Sequence, residues 1–256
     1  GATVSRSANA DRAATETLGF VFAFVLVTAT VGVAYATGVG GLYDARQFEQ
    51  VNNAQRGFDV FAENVEDVRR EGAPSRATEL RLGGATLGFG DPVTVRVRVN
   101  DSDTLANETF TMHPQPVVYS GVEDSEVVYA AGAVFRTDGD RSVMVRDPGY
   151  LFGPRRVAVP FLVAYPRGGD HAVSGDSTVL VVADRQSTGL DRFRASPGAD
   201  AELNVTVESP RAEAWKRYFE RKGLNVTRAN GTFVSAEYVT KRVYVPETVV
   251  EFELQR

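Results

Sequence analysis

The side chains that most often perform chemistry in enzymes are few in this sequence, and they are far apart. His113 and His171 lie beside Pro114 and Asp170, which predicts separate loop positions rather than a shared metal site or a proton-transfer pair. Residues 175–177 read Gly-Asp-Ser and are partly similar to the serine motif of hydrolases. No helix is predicted after them, so we interpret the segment as a turn before a strand.

Two further segments gather acidic side chains, at residues 100–103 (Asn-Asp-Ser-Asp) and 138–140 (Asp-Gly-Asp). Neither has the ligand spacing of a calcium-binding loop, so both are interpreted as solvated turns. The chain has no cysteine, which excludes disulfides, thiolate metal sites and cysteine nucleophiles. It also lacks a phosphate-binding glycine loop and a dinucleotide fingerprint. The sequence therefore predicts a structural or binding protein, not an enzyme, with no metal and no cofactor.

Asn-x-Ser/Thr sequons are the clearest modification signal. None has proline in the middle position, and all follow the apolar segment described next. They predict an exported domain with N-glycosylation sites at Asn100, Asn107, Asn204, Asn225 and Asn230.

Residues 18–43 contain no charged side chain, and Glu16 and Asp44 flank them. As a helix this segment is about 39 Å long, which exceeds a hydrocarbon core of roughly 30 Å. A cleaved signal peptide has a shorter apolar core, and a buried core helix needs protein on all sides, so both are weaker interpretations. The preferred one is a membrane-spanning helix that stays on the protein. Its glycines, Gly19 and Gly32 among them, permit close contact between helices.

Residues 44–71 continue with apolar side chains at steps of three or four, which predicts an amphipathic helix. The apolar positions are Phe48, Val51, Ala54, Phe58, Phe61, Val65 and Val68. Gly72 and Pro74 end the pattern. We therefore predict a polar, flexible leader at 1–13 and one long helix at 14–71, whose part 18–43 spans the membrane or forms a filament core. The striped part of the helix must pack on another element.

The remaining residues, 72–256, alternate apolar and polar side chains in short segments separated by turns, which predicts an antiparallel, sandwich-like domain. One helix interrupts the strands, with Ser209 and Pro210 at its start and Gly223 at its end. The predicted fold class is α+β. The strands are expected at 78–82, 85–89, 93–99, 108–112, 117–119, 127–135, 142–145, 157–165, 177–183, 202–208, 232–236 and 239–254.

The formal net charge of the 256 residues is −5, so the sequence offers no basic surface for nucleic acid. Arg6 and Arg12 precede the apolar segment, with only Asp11 as an opposing charge near them. The positive-inside bias predicts a cytoplasmic N-terminus and an outward-facing domain.

The order of a polar leader, an apolar helix, an amphipathic helix and a β-rich domain resembles the type IV pilin-like proteins of archaea, in particular haloarchaea. The local similarity lies in residues 11–20, Asp-Arg-Ala-Ala-Thr-Glu-Thr-Leu-Gly-Phe. This resemblance implies cleavage by a prepilin peptidase between Ala13 and Ala14. It also implies that Glu16 neutralises the α-amino group of a neighbouring subunit. The segment Ala-Thr-Glu-Thr departs from the hydrophobic, proline-containing start common in archaeal pilins.

The expected function is that of a structural subunit of an extracellular type IV pilus-like filament. The subunit would rest in the membrane and then assemble with copies of itself, helped by the pilus assembly machinery, through contacts at Glu16, Gly19 and Gly32. The main alternative is a membrane-tethered, outward-facing binding domain that does not polymerise, and an anchored hydrolase is the weakest of the three.

Overall fold

The computed structural model describes residues 5–104, 106–121, 124–168 and 172–256, with the backbone alone at 5–17, 39–40 and 42–44. The chain divides into two compact units, residues 1–49 and 50–256. This boundary lies inside the long helix rather than at its end, where we predicted it. The amphipathic part of the helix therefore belongs to the β-rich unit.

A single helix, α1, runs over Ser5–Arg70. It begins at Ser5 rather than near residue 14, so the predicted leader contains helical backbone. It ends where predicted, because Gly72 has a φ of 74°, a conformation that breaks the helical path and that glycine adopts without strain.

The second unit contains sixteen strands and one further helix among its described residues. The first eight strands are β1 (Ser75–Arg81), β2 (Thr86–Phe89), β3 (Thr94–Asp101), β4 (Asn107–Met112), β5 (Val117–Ser120), β6 (Ser125–Ala130), β7 (Ala133–Asp138) and β8 (Arg141–Arg146). The next five are β9 (Val157–Ala158), β10 (Phe161–Pro166), β11 (Ala172–Ser174), β12 (Thr178–Arg194) and β13 (Ala201–Glu208). Helix α2 (Ala212–Arg221) follows, and then β14 (Asn225–Asn230), β15 (Phe233–Thr240) and β16 (Arg242–Gln255).

The strands form three sheets. Sheet I has the order β1-β12-β16-β10, with β9 also paired to β16; sheet II has the order β11-β2-β5-β6-β7-β8; sheet III has the order β14-β15-β13-β3-β4. The pairing is antiparallel except for β9 and β10, which lie parallel to β16. The predicted α+β class with a β-rich, sandwich-like domain is confirmed.

Several strand predictions differ from the structure. The predicted strand at 157–165 is two strands, β9 and β10, and β11 was not predicted. Residues 127–135 form a hairpin, not one strand, because Ala131 and Gly132 both have positive φ and reverse the chain between β6 and β7. Strand β12 continues far beyond residue 183, since its second part pairs with β16 along an exposed stretch. Strand β14 was not predicted because its residues are mostly polar and exposed and show no alternation.

Sheet II separates two hydrophobic cores. Alternate side chains of β6 enter different cores: Val128 and Ala130 pack with α2 and the inner face of sheet III, which we call core A. Val127 and Tyr129 pack with α1 and sheet I, which we call core B. One sheet buried on both faces therefore serves as the common wall of the unit.

The second part of α1 is a core element of this unit. All the apolar positions predicted for its stripe are buried in core B except Phe48, which is 61% exposed. Phe61 contacts the rings of Tyr129 and Phe252, at centroid distances of 5.1 and 5.3 Å. The helix therefore binds to both sheets that line core B.

Helix α2 carries Ala214, Trp215, Tyr218 and Phe219 into core A. Its start differs from the prediction. The N-cap residue is Arg211, which makes no side-chain capping bond, while the hydroxyl of Ser209, two residues earlier, accepts the Arg211 backbone N–H.

Candidate membrane helix and polar sheet face

The segment Leu18–Gly38 of α1 is apolar and long enough to cross a membrane, and no residue in it is buried. Its aromatic side chains at Phe20, Phe22 and Phe24 are exposed over 63–73% of their surface. Large apolar side chains around a whole helix need apolar surroundings, and the described residues do not provide them. The N-terminal helix is therefore a candidate membrane-spanning segment.

The threonine hydroxyl groups in this segment are hydrogen-bonded within the helix. The hydroxyl groups of Thr28, Thr30 and Thr37 donate to carbonyl oxygens one turn earlier, those of Phe24, Leu26 and Val33, at 2.8–2.9 Å. Such bonds remove the main cost of placing a hydroxyl group in a lipid or protein interior. The surface of the segment is thus compatible with lipid and with other apolar helices.

Gly19 and Gly32, the glycines predicted to act in assembly, have open space around them. A Cβ added at either position would meet nothing within 4 Å, and the same holds at Gly38 and Gly41. Gly57, on the buried part of the same helix, differs. There an added Cβ would lie 2.7 Å from Cδ2 of Leu80. Close packing at Gly19, Gly32, Gly38 and Gly41 would therefore need a partner beyond the described residues.

The predicted processing junction, Ala13–Ala14, and Glu16 lie on the helical backbone of α1. Their side chains are outside the part that the structure describes. Cleavage at this junction and the pairing of Glu16 with a neighbouring amino group stay predictions.

The candidate catalytic residues do not form a site. His113 is exposed, with its Nδ1 3.2 Å from the Thr94 hydroxyl, and His171 lies outside the described residues. In segment 175–177 the carbonyl groups of Gly175 and Ser177 accept the backbone N–H groups of Gly84 and Leu82, as expected for a turn. Among the described residues, no cluster of three His, Asp or Glu side chains could hold a metal ion.

The acidic turn at 100–103 has a structural role through Asp101. This carboxylate is buried, and it accepts the backbone N–H groups of Asp103, Thr104 and Ser196 at 2.7–3.0 Å. These bonds hold the pKa of Asp101 well below its usual range. The side chain therefore fastens the β3–β4 loop to the segment after β12.

All five sequon asparagines lie on sheet III and share its outer face. Asn225 of β14 is opposite Glu237, which is opposite Asn204 of β13. Asn107 of β4 is opposite Asn100 of β3. Cross-strand partners project to the same face, and the intervening positions, such as Val97, Val205 and Ala236, are buried in core A. The fifth, Asn230, is opposite Phe233 and has the same orientation.

This face also contains a concavity of about 500 Å³ between β14, β15, β13 and β3. The guanidinium groups of Arg98 and Arg228 line it together with the Glu237 carboxylate and the Asn204 amide. Sequence reasoning missed the arginines and Glu237 because only strand register brings them together. The one available signal was the alternation of Arg96, Arg98 and Asn100 with valines on β3.

A family model described as "Family of unknown function (DUF7289)" matches residues 12–253. The chain belongs to this family. The match includes most of α1 and nearly all of the β-rich unit, so the apolar helix and the domain are features of one family architecture. Comparison with curated proteins gives no match. Among solved structures, the crystal structure of ywiB protein from Bacillus subtilis is 10% identical over 61% of this chain and 94% of that chain, with a TM-score of 0.15.

Proposed function

We propose that this chain is the structural subunit of an extracellular type IV pilus-like filament. In this proposal the segment Leu18–Gly38 holds the subunit in the membrane first and then packs against copies of itself. The observation that carries the proposal is the complete exposure of this apolar segment on a helix whose second part is a core element of the β-rich unit. Such a chain combines a folded domain with an apolar helix surface that the described residues leave uncovered.

Assembly replaces lipid around Leu18–Gly38 with the same helix from other subunits. The glycines allow close backbone contact, and the hydroxyl groups of Thr28, Thr30 and Thr37 are already bonded within the helix. The contacts would be heterologous and would not close, which produces an open helical array. Removal of residues 1–13 between Ala13 and Ala14 would create the amino group that Glu16 neutralises in a neighbour.

The second candidate is a membrane-tethered, outward-facing binding domain. The polar concavity on sheet III favours it, because Arg98, Arg228 and Glu237 form a surface suited to a polar ligand. Neither candidate assigns catalysis to the chain.

The test compares two substitutions on adjacent positions of the apolar helix. Gly32→Leu fills the open space at a glycine and is expected to abolish filaments without changing the membrane pool of subunits. Val33→Leu adds a leucine where a large side chain already exists, and it is expected to leave filaments intact. The readouts are negative-stain microscopy of sheared surface material and the amount of subunit in the membrane fraction. Normal filaments from Gly32→Leu would contradict the role of this glycine, and a wild-type protein that stays in membranes without forming fibres would favour the tethered domain.

A further inference from the structure

We infer that the outer face of sheet III is an N-glycosylated face on which Asn230, Asn225 and Asn107 carry saccharide while Asn204 and Asn100 stay bare. The three acceptors lie on the edge strands β14 and β4, and the other two lie on the interior strands β13 and β3. This inference does not depend on filament formation, since a tethered domain would present the same face.

The modification is a transfer of saccharide from a polyprenyl-phosphate-linked donor by a membrane oligosaccharyltransferase. The side-chain amide nitrogen of asparagine attacks the anomeric carbon of the donor saccharide. A C–N bond forms, the anomeric C–O bond to the lipid phosphate breaks, the amide loses one proton and the lipid phosphate leaves. The asparagine nitrogen must therefore be accessible, and so must the hydroxyl group two residues later.

Asn230 meets this requirement at the tip of the β14–β15 hairpin. Residues 230–232 are all exposed. The Asn230 side-chain oxygen accepts the Thr232 backbone N–H at 2.9 Å and lies 3.4 Å from the Thr232 hydroxyl. Because the oxygen is held by the turn, the amide nitrogen is directed away from the backbone.

Asn225 and Asn107 are exposed as well, on opposite edges of the sheet. In each sequon the threonine two residues later, Thr227 or Thr109, is exposed on the same strand. Among the described residues, the Thr227 hydroxyl makes only long contacts, at 3.4 and 3.5 Å, with the carbonyl and hydroxyl oxygens of Ser235. An edge strand has a neighbour on one side only, so an enzyme can reach its side chains from the open side.

Asn204 carries the same tripeptide as Asn225, Asn-Val-Thr, in a different environment. Its amide nitrogen donates to the Ser235 hydroxyl at 3.0 Å, and its oxygen accepts the Thr206 hydroxyl at 3.1 Å. Thr206 is itself buried between neighbouring strands. Both groups that the transfer needs are therefore occupied inside the sheet.

Asn100 is unsuitable for a related reason. The Ser102 hydroxyl of its sequon accepts the Asp200 backbone N–H and donates to Asp103, and the middle residue is the buried Asp101. Asn100 is also directly opposite Asn107, at a cross-strand Cα distance of about 4.5–5.5 Å. A saccharide on Asn107 would cover Asn100.

The experiment is peptide mass spectrometry of the full chain purified from its organism of origin. Trypsin places Asn204, Asn225 and Asn230 on separate peptides, 195–211, 223–228 and 229–241. Saccharide mass is expected on the second and third peptides and not on the first. Fragmentation of peptide 99–136, which contains Asn100 and Asn107, is expected to place saccharide on Asn107 alone.

The identical tripeptides provide a matched pair of variants. Asn225→Gln is expected to remove one saccharide from the intact mass, and Asn204→Gln is expected to change the mass only by the substitution. Saccharide on Asn204 would overturn the inference, because it would show that the enzyme acts before the sheet forms. Absence of saccharide from all five asparagines would overturn it too, and would leave the filament proposal untouched.

Discussion

Phe22 and Phe61 are the same residue type on the same helix, yet Phe22 is 69% exposed and Phe61 is completely buried. The difference follows from the pattern of their neighbours. Around Phe22 apolar side chains occupy every face of α1, and around Phe61 they occupy one face only. One face can be covered by two sheets of the same chain, as core B does. A helix that is apolar all round can be covered only by lipid or by other helices. The first part of α1 is therefore left uncovered by the described residues, and the second part stabilises the β-rich unit.

The largest difference between the two parts of α1 is expected in the free energy of unfolding when one phenylalanine in each part is replaced by alanine. Phe61→Ala should lower the free energy of unfolding of the β-rich unit by about 3–5 kcal/mol, because it removes a buried ring that contacts Tyr129 and Phe252. Phe22→Ala is the matched control and should leave that free energy unchanged. Urea unfolding of the detergent-solubilised chain, followed by the fluorescence of Trp215, measures both. An equal loss in the two variants would contradict the division of α1 into two parts.

A smaller effect is expected from the glycines. Gly57→Val should destabilise the β-rich unit by about 1–3 kcal/mol, since a Cβ at this position lies 2.7 Å from Cδ2 of Leu80, a side chain that is itself buried in core B. Gly32→Leu, the filament variant, should have no effect on the same unfolding curve because nothing lies within 4 Å of its Cβ position. If Gly57→Val unfolds like the wild type, the contact between α1 and β1 at Leu80 is looser than described here.

The smallest effect is expected from lowering the pH. The β-rich unit contains a buried carboxylate, Asp101, whereas the segment Leu18–Gly38 contains no charged side chain. The pKa of Asp101 is lowered by three backbone N–H groups, so its stabilising contribution is complete above the unfolded-state value of about 3.9 and is lost as the pH falls further. Wild-type stability attributable to this group should be constant from pH 7 to 5 and should decline only below about pH 4. Asp101→Asn should remove that part of the decline.

The segment Leu18–Gly38 has no acidic or basic side chain, so its membrane insertion should not change over the same pH range. Circular dichroism at each pH measures the stability of the β-rich unit, and membrane flotation of the chain measures the insertion of Leu18–Gly38. A pH profile of Asp101→Asn that is parallel to that of the wild type below pH 4 would contradict the role of this carboxylate.

The sequence predicted most of the helix and its buried stripe because a period of 3.6 residues is a local property. It also predicted most strands, where one face is apolar and the other polar. It could not predict the β6–β7 hairpin, because Ala131 and Gly132 do not form a typical turn pair. Strand β14 was missed since an exposed edge strand has no apolar face.

The arrangement of the sheets could not be predicted, because it depends on contacts between residues that are distant in sequence. The five sequons were recognisable one by one, but their common face results from register between strands that are distant in sequence, such as β3 and β13. The same holds for Arg98, Arg228 and Glu237. Which sequons are accessible is likewise decided by side-chain partners, as the identical tripeptides at Asn204 and Asn225 illustrate.

The contact between Phe61 and Phe252 joins the first element of the β-rich unit to its last strand, β16, which is also an inner strand of sheet I. Core B is therefore incomplete until the end of the chain has been synthesised. Closing such a long loop is slow, and the apolar stripe of α1 stays uncovered in the meantime. The segment Leu18–Gly38 is synthesised before all of the strands, so the two parts of α1 acquire their final surroundings at different stages. The apolar stripe on the second part of α1 must therefore avoid non-specific apolar contacts until β16 is available to cover it.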